Sequence, residues 1–271
     1  SVFQRKPAPI QISWLGYSKT TGLKTIDYIL TDNISIPKNE EHRFTEKPIR
    51  MENSYYCFSN FTIDKNIEVE ESKYNDFIFG CFNNTKKLNK NVLRIWSCIL
   101  RDIPKSKIIL KFKYYECNEL RKKITEFFIK NSIDENRLIF FNQSPRNEYL
   151  KYYNKIDLSL DPFPYPGGTT TCESLFMGVP VLTMKGCDSL SRNSENILIN
   201  CGLSDFIAKN EEEYINLAKS LAKKGKFAEK NKIKTKFLSS NLLNGELFSN
   251  ELDKNIKIIW NEYCKNKQMI S

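Results

Sequence analysis

The segment Asp161-Pro162-Phe163-Pro164-Tyr165-Pro166-Gly167-Gly168-Thr169-Thr170-Thr171 has the composition of an anion site. Two glycines let a ligand approach the backbone closely. Three threonines then open a helix, with N–H groups and hydroxyls at the positive end of its dipole. A pyrophosphate fits there, and Glu173, read as lying in the first helical turn, suits hydroxyls such as those of a ribose. The same composition also suits an ordinary loop, with glycine for the turn and threonine for the N-cap, and the loop alone leaves both readings open. Two other stretches are similarly placed after strands. Asn83-Asn84-Thr85-Lys86-Lys87 sets amides and cations between a strand and a helix, and Asn142-Gln143-Ser144-Pro145-Arg146 sets polar side chains beyond another strand.

Several other chemistries lack their residues. There is no G-x-x-x-x-G-K-[ST] phosphate loop and no G-x-G-x-x-G after the first strand. There is no D-x-D pair to hold a divalent metal against a sugar nucleotide, and no pair of the eight cysteines has C-x-x-C spacing. No metal site is therefore expected. The one histidine, His42, lies in the polar stretch Asn39–Arg43 and reads as a surface residue. Scattered single cysteines read as small buried residues of a reduced, cytosolic protein.

These loops need a scaffold, and the spacing of apolar residues supplies one. Strand-like runs at Phe77–Phe82, Lys107–Lys113, Arg137–Phe141, Ile156–Leu160 and Val179–Thr183 alternate with helix-period segments at Asn89–Asp102, Cys117–Lys130, Arg146–Tyr153 and Thr169–Met177. Five strands interleaved with four helices predict an α/β, doubly wound parallel sheet. Ligands of such sheets bind at the carboxyl ends of the strands, where the three loops lie. Residues 1–63 hold two strand-like runs, Ile10–Trp14 and Ile26–Thr31, which cannot close a core alone. They read as the tail of a preceding lobe. Residues 64–76 are a polar linker, and Glu211–Lys223 and Leu247–Lys265 read as amphipathic helices. The start at Ser1, without Met, predicts a piece of a longer protein.

The 271 residues are 40% hydrophobic, 27% charged and 13% aromatic, which excludes a disordered chain. No apolar run approaches the ~20 residues of a membrane-spanning helix. The net charge of +10 is spread along the chain. The dense run Lys219–Lys236 falls on helix-like sequence and reads as a solvated face. The aromatic residues form no RNA-binding sheet motif, so nucleic acid is not an expected partner, although a basic balance favours an anionic small ligand.

Several strings resemble, in order, the protein O-GlcNAc transferase family, including its SPINDLY-type and bacterial members. They are Pro7–Gln11, Trp14-Leu15-Gly16-Tyr17, Thr20-Thr21-Gly22, Asp27–Asp32, Phe82-Asn83-Asn84 with Lys87, and Asp157–Asp161. The series continues with Gly167–Leu175, Met177–Pro180, Ser191-Arg192, Gly202-Leu203, Ile207-Ala208 and Glu213-Tyr214. The resemblance implies a GT-B fold, two Rossmann-like lobes with a sugar nucleotide between them, in which residues 1–63 are the tail of the first lobe, 77–240 the complete, nucleotide-sugar-binding second lobe and 241–271 a C-terminal helix packing back across the lobes. It also implies an inverting, metal-independent transfer, most simply of N-acetylglucosamine from UDP, to Ser or Thr hydroxyls of proteins, with no resident cofactor. By the same resemblance Lys87 contacts the diphosphate and Asn84 touches the nucleotide. Gly168, Thr169 and Thr170 hold the phosphates, and Glu173 contacts the ribose. Ser144, Arg146 and Tyr149 hold the base, and Leu15 and Gly16 border the transferred sugar.

Two departures stand out. Tyr149 replaces a frequent histidine, and Ser18 a proline that is common after Leu-Gly-Tyr. The family's upstream histidines and tetratricopeptide repeats fall outside the region matched. Alternatives to the expected transfer are GDP-fucose or UDP-glucose as donor, a glycan acceptor, or a binding module without turnover.

Overall fold

A computed structural model describes residues 2–59, 67–70, 72–225 and 230–268. The expected linker, 64–76, therefore lies partly outside the described residues. The larger sheet contains β4 (Phe77–Cys81), β5 (Ser106–Lys111), β6 (Leu138–Phe141), β7 (Leu158–Leu160), β8 (Val181–Met184) and β9 (Ile207–Ala208). All six strands are parallel, in the spatial order β6-β5-β4-β7-β8-β9. The central strand β4 is buried at every residue, as expected of a parallel strand covered on both faces. The chain runs outward from β4 to β6 and returns to place β7 on the other side of β4. The loops after β4 and β7 consequently diverge and open a crevice at the carboxyl edge.

Helices cover the sheet: α1 (Lys90–Asp102), α2 (Asn118–Lys130), α3 (Arg146–Lys151), α4 (Thr169–Phe176), α5 (Asn193–Asn200), α6 (Glu211–Lys223) and α7 (Lys230–Leu238). In α1 the Asn89 side chain caps the start by accepting from the Val92 N–H at 3.0 Å. Its apolar stripe Val92, Ile95, Trp96 and Ile99 is buried. In α6 the Asn210 side chain caps Glu213, and three glutamates occupy the first turn, where the helix dipole favours them.

Residues before β4 form a second, smaller sheet of three parallel strands, β1 (Ile12–Ser13), β2 (Tyr28–Asp32) and β3 (Lys47–Met51). This corrects the two-strand reading. β3 escapes the pattern because Lys47, Pro48 and Arg50 break its apolar run, and an edge strand tolerates a proline. β9 and α5 are likewise additions to the five strands and four helices expected. The small core joins Leu30, Ile49, Met51 and Tyr55 to Ile259 of the last helix, α8 (Gly245–Gln268). The chain thus passes between the two units twice, after β3 and before α8. The two passages touch, since the Phe58 N–H donates to the Leu242 carbonyl at 2.7 Å.

The seam between the units is polar and buried. Asp32 accepts from the Ser35 and Tyr55 backbone N–H groups at 2.8 and 2.9 Å and from Asn196 of α5 at 2.6 Å. Ser54 donates to Asn196 at 2.7 Å, and Tyr55 to Asn193 at 3.2 Å. Burial pushes the Tyr55 phenol up to about 12, so it stays a neutral donor. Arg192 pairs with Glu40 and donates to the Ser35 carbonyl.

Candidate active site

The crevice is organised by Asp161, the first residue after β7, which is 2% exposed. One carboxylate oxygen accepts from the Gly167 N–H at 2.7 Å and from the Asn83 amide at 3.3 Å. The other accepts from the Thr183 hydroxyl at 2.9 Å. Burial raises its pKa, opposed by the Ser194 hydroxyl, by Lys87 and by the Gly167 N–H. Glycine is required at 167, where a Cβ would collide with the Thr170 and Thr171 hydroxyls. The tight turn delivers Gly168 as the N-cap of α4, with no side chain capping the helix start. Thr169 is exposed there.

Lys87 reaches the same place from the β4 loop. Its Nζ donates to the Asn83 Oδ1 at 3.0 Å and to the Pro166 carbonyl at 2.6 Å, and it lies 4.4 Å from the centre of the Tyr165 ring. The Thr170 hydroxyl donates to the same Asn83 oxygen at 3.1 Å. Lys87 and the start of α4 therefore meet on one amide. Burial lowers the Lys87 pKa, and the Asp161 carboxylate opposes that shift. Asn84 caps its own short turn, accepting from the Lys86 N–H at 3.0 Å.

Farther along the edge, Glu173 is 3% exposed, and both its oxygens are engaged. One pairs with Arg146, and the other accepts from the Tyr149 hydroxyl at 2.9 Å. Burial raises the Glu173 pKa, while Arg146 and Tyr149 lower it. Glu173 lies in the second turn of α4 rather than the first, because the helix begins at Thr169. Its carboxylate thus sits away from the exposed helix start. Arg146, Tyr149 and the half-buried Ser144 line a groove of about 350 Å³.

The structure therefore brings Lys87, Thr170, Gly168 and Thr169 to one end of the crevice, with Asn84 on the same loop as Lys87. It joins Arg146, Tyr149 and Glu173 beside them, with Ser144 in the adjoining groove. Leu15 and Gly16 stand apart on the smaller unit, both exposed. Leu15 has φ +63°, and the Gly16 N–H closes a three-residue turn onto the Trp14 carbonyl at 2.8 Å. Their loop reaches the larger unit through a Lys19–Asp188 ion pair of 2.6 Å. A larger cavity, about 890 Å³, adjoins α3, but its Glu68, Glu70 and Glu148 balance Lys73, Lys151 and Lys155 and give it no anion preference. Asn83 and Asp161 stand in the loops quoted from the sequence, but sequence reasoning gives neither a role. The available signal was their position, each next to the end of a strand that flanks the reversal in strand order. His42 is exposed, in line with the surface reading.

A family model described as "Glycosyl transferase family 41" matches residues 1–73 and 68–252. The chain belongs to glycosyl transferase family 41. An Arabidopsis thaliana relative, named "Probable UDP-N-acetylglucosamine--peptide N-acetylglucosaminyltransferase SPINDLY", is 33% identical over 270 residues, 97% of this chain and 29% of that protein. The SEC protein of the same plant, which carries the same enzyme name, is 28% identical over 98% of this chain and 28% of its own length. Among solved structures, a mutant O-GlcNAc transferase from Thermobaculum terrenum superposes with a TM-score of 0.86 at 27% identity. That match covers 98% of this chain and 51% of the other. A glycosyltransferase from Rickettsia africae shares the fold, with a TM-score of 0.58 at 12% identity over 91% of this chain and 66% of that one. The family 41 chain described here spans under a third of the length of these plant relatives. The α/β architecture with parallel sheets is that of the GT-B glycosyltransferases. Among the described residues, no helix is long and apolar enough to cross a membrane.

Proposed function

We propose that this chain carries the donor-binding half of a glycosyltransferase that moves N-acetylglucosamine from UDP to Ser or Thr hydroxyls of proteins. The convergence of Lys87 and Thr170 on Asn83 at the start of α4 carries the reading. Family membership and the enzyme names of the plant relatives support it.

In this reading the acceptor oxygen attacks the anomeric carbon in one displacement, and the bond to the diphosphate breaks with inversion. Negative charge grows on the departing oxygen. The Lys87 ammonium and the first N–H groups of α4 meet that charge from fixed positions, which favours the transition state over the ground state. Asp161 is a positioning residue that fixes the Gly167 turn and the Asn83 amide. Arg146, Tyr149 and Ser144 take the nucleoside end, and Glu173 meets the ribose. Asn84 borders the nucleotide, and Leu15 and Gly16 border the sugar. No resident cofactor is called for, since side chains and helix supply the positive charge. The eight free cysteines suit a reducing compartment such as the cytosol.

The test is Lys87→Met. In the full-length protein that contains this chain, transfer from UDP-N-acetylglucosamine to a Ser/Thr peptide should fall by about 10²–10³-fold, as for loss of one such donor, with the circular dichroism spectrum unchanged. Since burial lowers the Lys87 pKa, the wild-type rate should fall on the alkaline side as pH rises through that lowered value, and the Met variant should lose this limb. Unchanged turnover in Lys87→Met would overturn the assignment.

A further inference from the structure

We propose that Lys111 selects the base of the bound nucleotide, favouring a keto oxygen at C4 of a pyrimidine or C6 of a purine, as in uracil and guanine, over an amino group at the same position. The inference rests on the reading of the crevice as a nucleotide-sugar site.

Lys111 ends β5 at the carboxyl edge of the sheet and is 1% exposed. Its Nζ donates to the Asn142 carbonyl and sits 3.9 Å from the Tyr152 ring centre and 5.9 Å from that of Tyr149. Among the described residues no carboxylate lies within ion-pairing distance of it, and Glu148 acts on it only as a more distant charge. Taking an ammonium out of water without a counter-ion is costly, and an apolar residue would end the strand without that cost. The charge is nevertheless kept at the wall of the 350 Å³ groove, beside Phe112, Ser144 and Tyr149. The Ser144 hydroxyl is buried there with no hydrogen-bond partner among the described residues.

The groove thus offers aromatic surface for a flat ring, a hydroxyl without a partner, and a cation. An ammonium has three N–H donors and no acceptor, and Asn142 engages one of them. A keto oxygen facing it completes a charge-assisted hydrogen bond. An amino group in the same place sets donor against donor and leaves both unpaired.

Calorimetric titration with two matched pairs tests this. UDP is compared with CDP, and GDP with the diphosphate of 2,6-diaminopurine riboside, so each pair differs at the keto or amino position. In the wild type, the keto member of at least one pair should bind about 10–100-fold tighter, the range of a charged hydrogen bond. The pair showing the preference tells uracil from guanine. Lys111→Met should bring that ratio close to one while leaving the amino member's affinity within about threefold. Lys111→Arg, which keeps a cationic donor, should retain a preference. A ratio unchanged in Lys111→Met, including one preserved through equal weakening of both members, or absent in the wild type, would overturn the role of Lys111. Failure of all four diphosphates to bind the wild type would instead overturn the crevice assignment, and this inference with it.

Discussion

The two units of the molecule are joined by different chemistry from that which builds the larger of them. The six-stranded lobe is held by one apolar core that runs from Phe77 in β4 through Trp96 in α1 to Phe237 in α7. The seam against the three-stranded unit instead rests on Asp32, Ser54, Tyr55, Asn193, Asn196 and the Arg192–Glu40 pair. Apolar burial scales with area and has no direction. Hydrogen bonds add little net stability each, but they are costly to leave unmade when buried. The core therefore stabilises the lobe, and the seam fixes the angle at which the smaller unit meets it.

Four variants can break or sharpen this contrast. The largest effect belongs to the core. Phe79→Ala, at a fully buried position of the central strand, should cost about 3–5 kcal/mol in urea unfolding. Asn196→Ala comes next, because it strips partners from Asp32, Ser35 and Ser54 at once. It should cost about 1–3 kcal/mol and expose the passage between the units to limited proteolysis before the lobe unfolds. Equal protection of that passage in wild type and variant would count against an orienting seam. The smallest effect concerns charge. The Arg192 hydrogen bond holds the Glu40 carboxyl below the usual glutamate range. A depressed carboxylate stabilises the folded state above its unfolded pKa of about 4.3, and the contribution is lost as pH falls through its lower folded value. Glu40→Gln should remove this acid-dependent part of stability. Glu211→Gln, whose carboxyl is lowered first by Asn91 and then by Arg94 on the open surface, should remove less, under about 1 kcal/mol.

The same contrast explains what the sequence revealed. β4, β5 and β8 are apolar runs with turn residues between them, so strand and helix periods expose the lobe directly. The Gly167–Thr171 segment was legible as a turn into a helix, because glycine suits the turn and threonine the helix start, but that composition by itself left an anion site and an ordinary loop equally open. α5 was not legible, since its buried positions include Asn193, Ser194, Glu195 and Asn196, and a helix that buries polar groups against another unit has no apolar stripe. β3 hid behind Pro48 and its charged neighbours. Lys111 falls inside the strand-like run Lys107–Lys113 with nothing to single it out, and no local pattern distinguishes a buried ammonium from an exposed one. Asp161 and Asn83 matter through contacts spanning 78 positions in sequence, a relation that spacing does not display.

The bond between Phe58 and Leu242 ties the outgoing and returning passages of the chain together at one place. Were the passages far apart, they would define a line, and the units could swing only about it. Pinned together, they act as a single pivot, leaving the direction of any swing to whatever surfaces meet on either side. What keeps the units in one mutual orientation is therefore the bonding on either side of that point, the Arg192–Glu40 and Lys19–Asp188 pairs included.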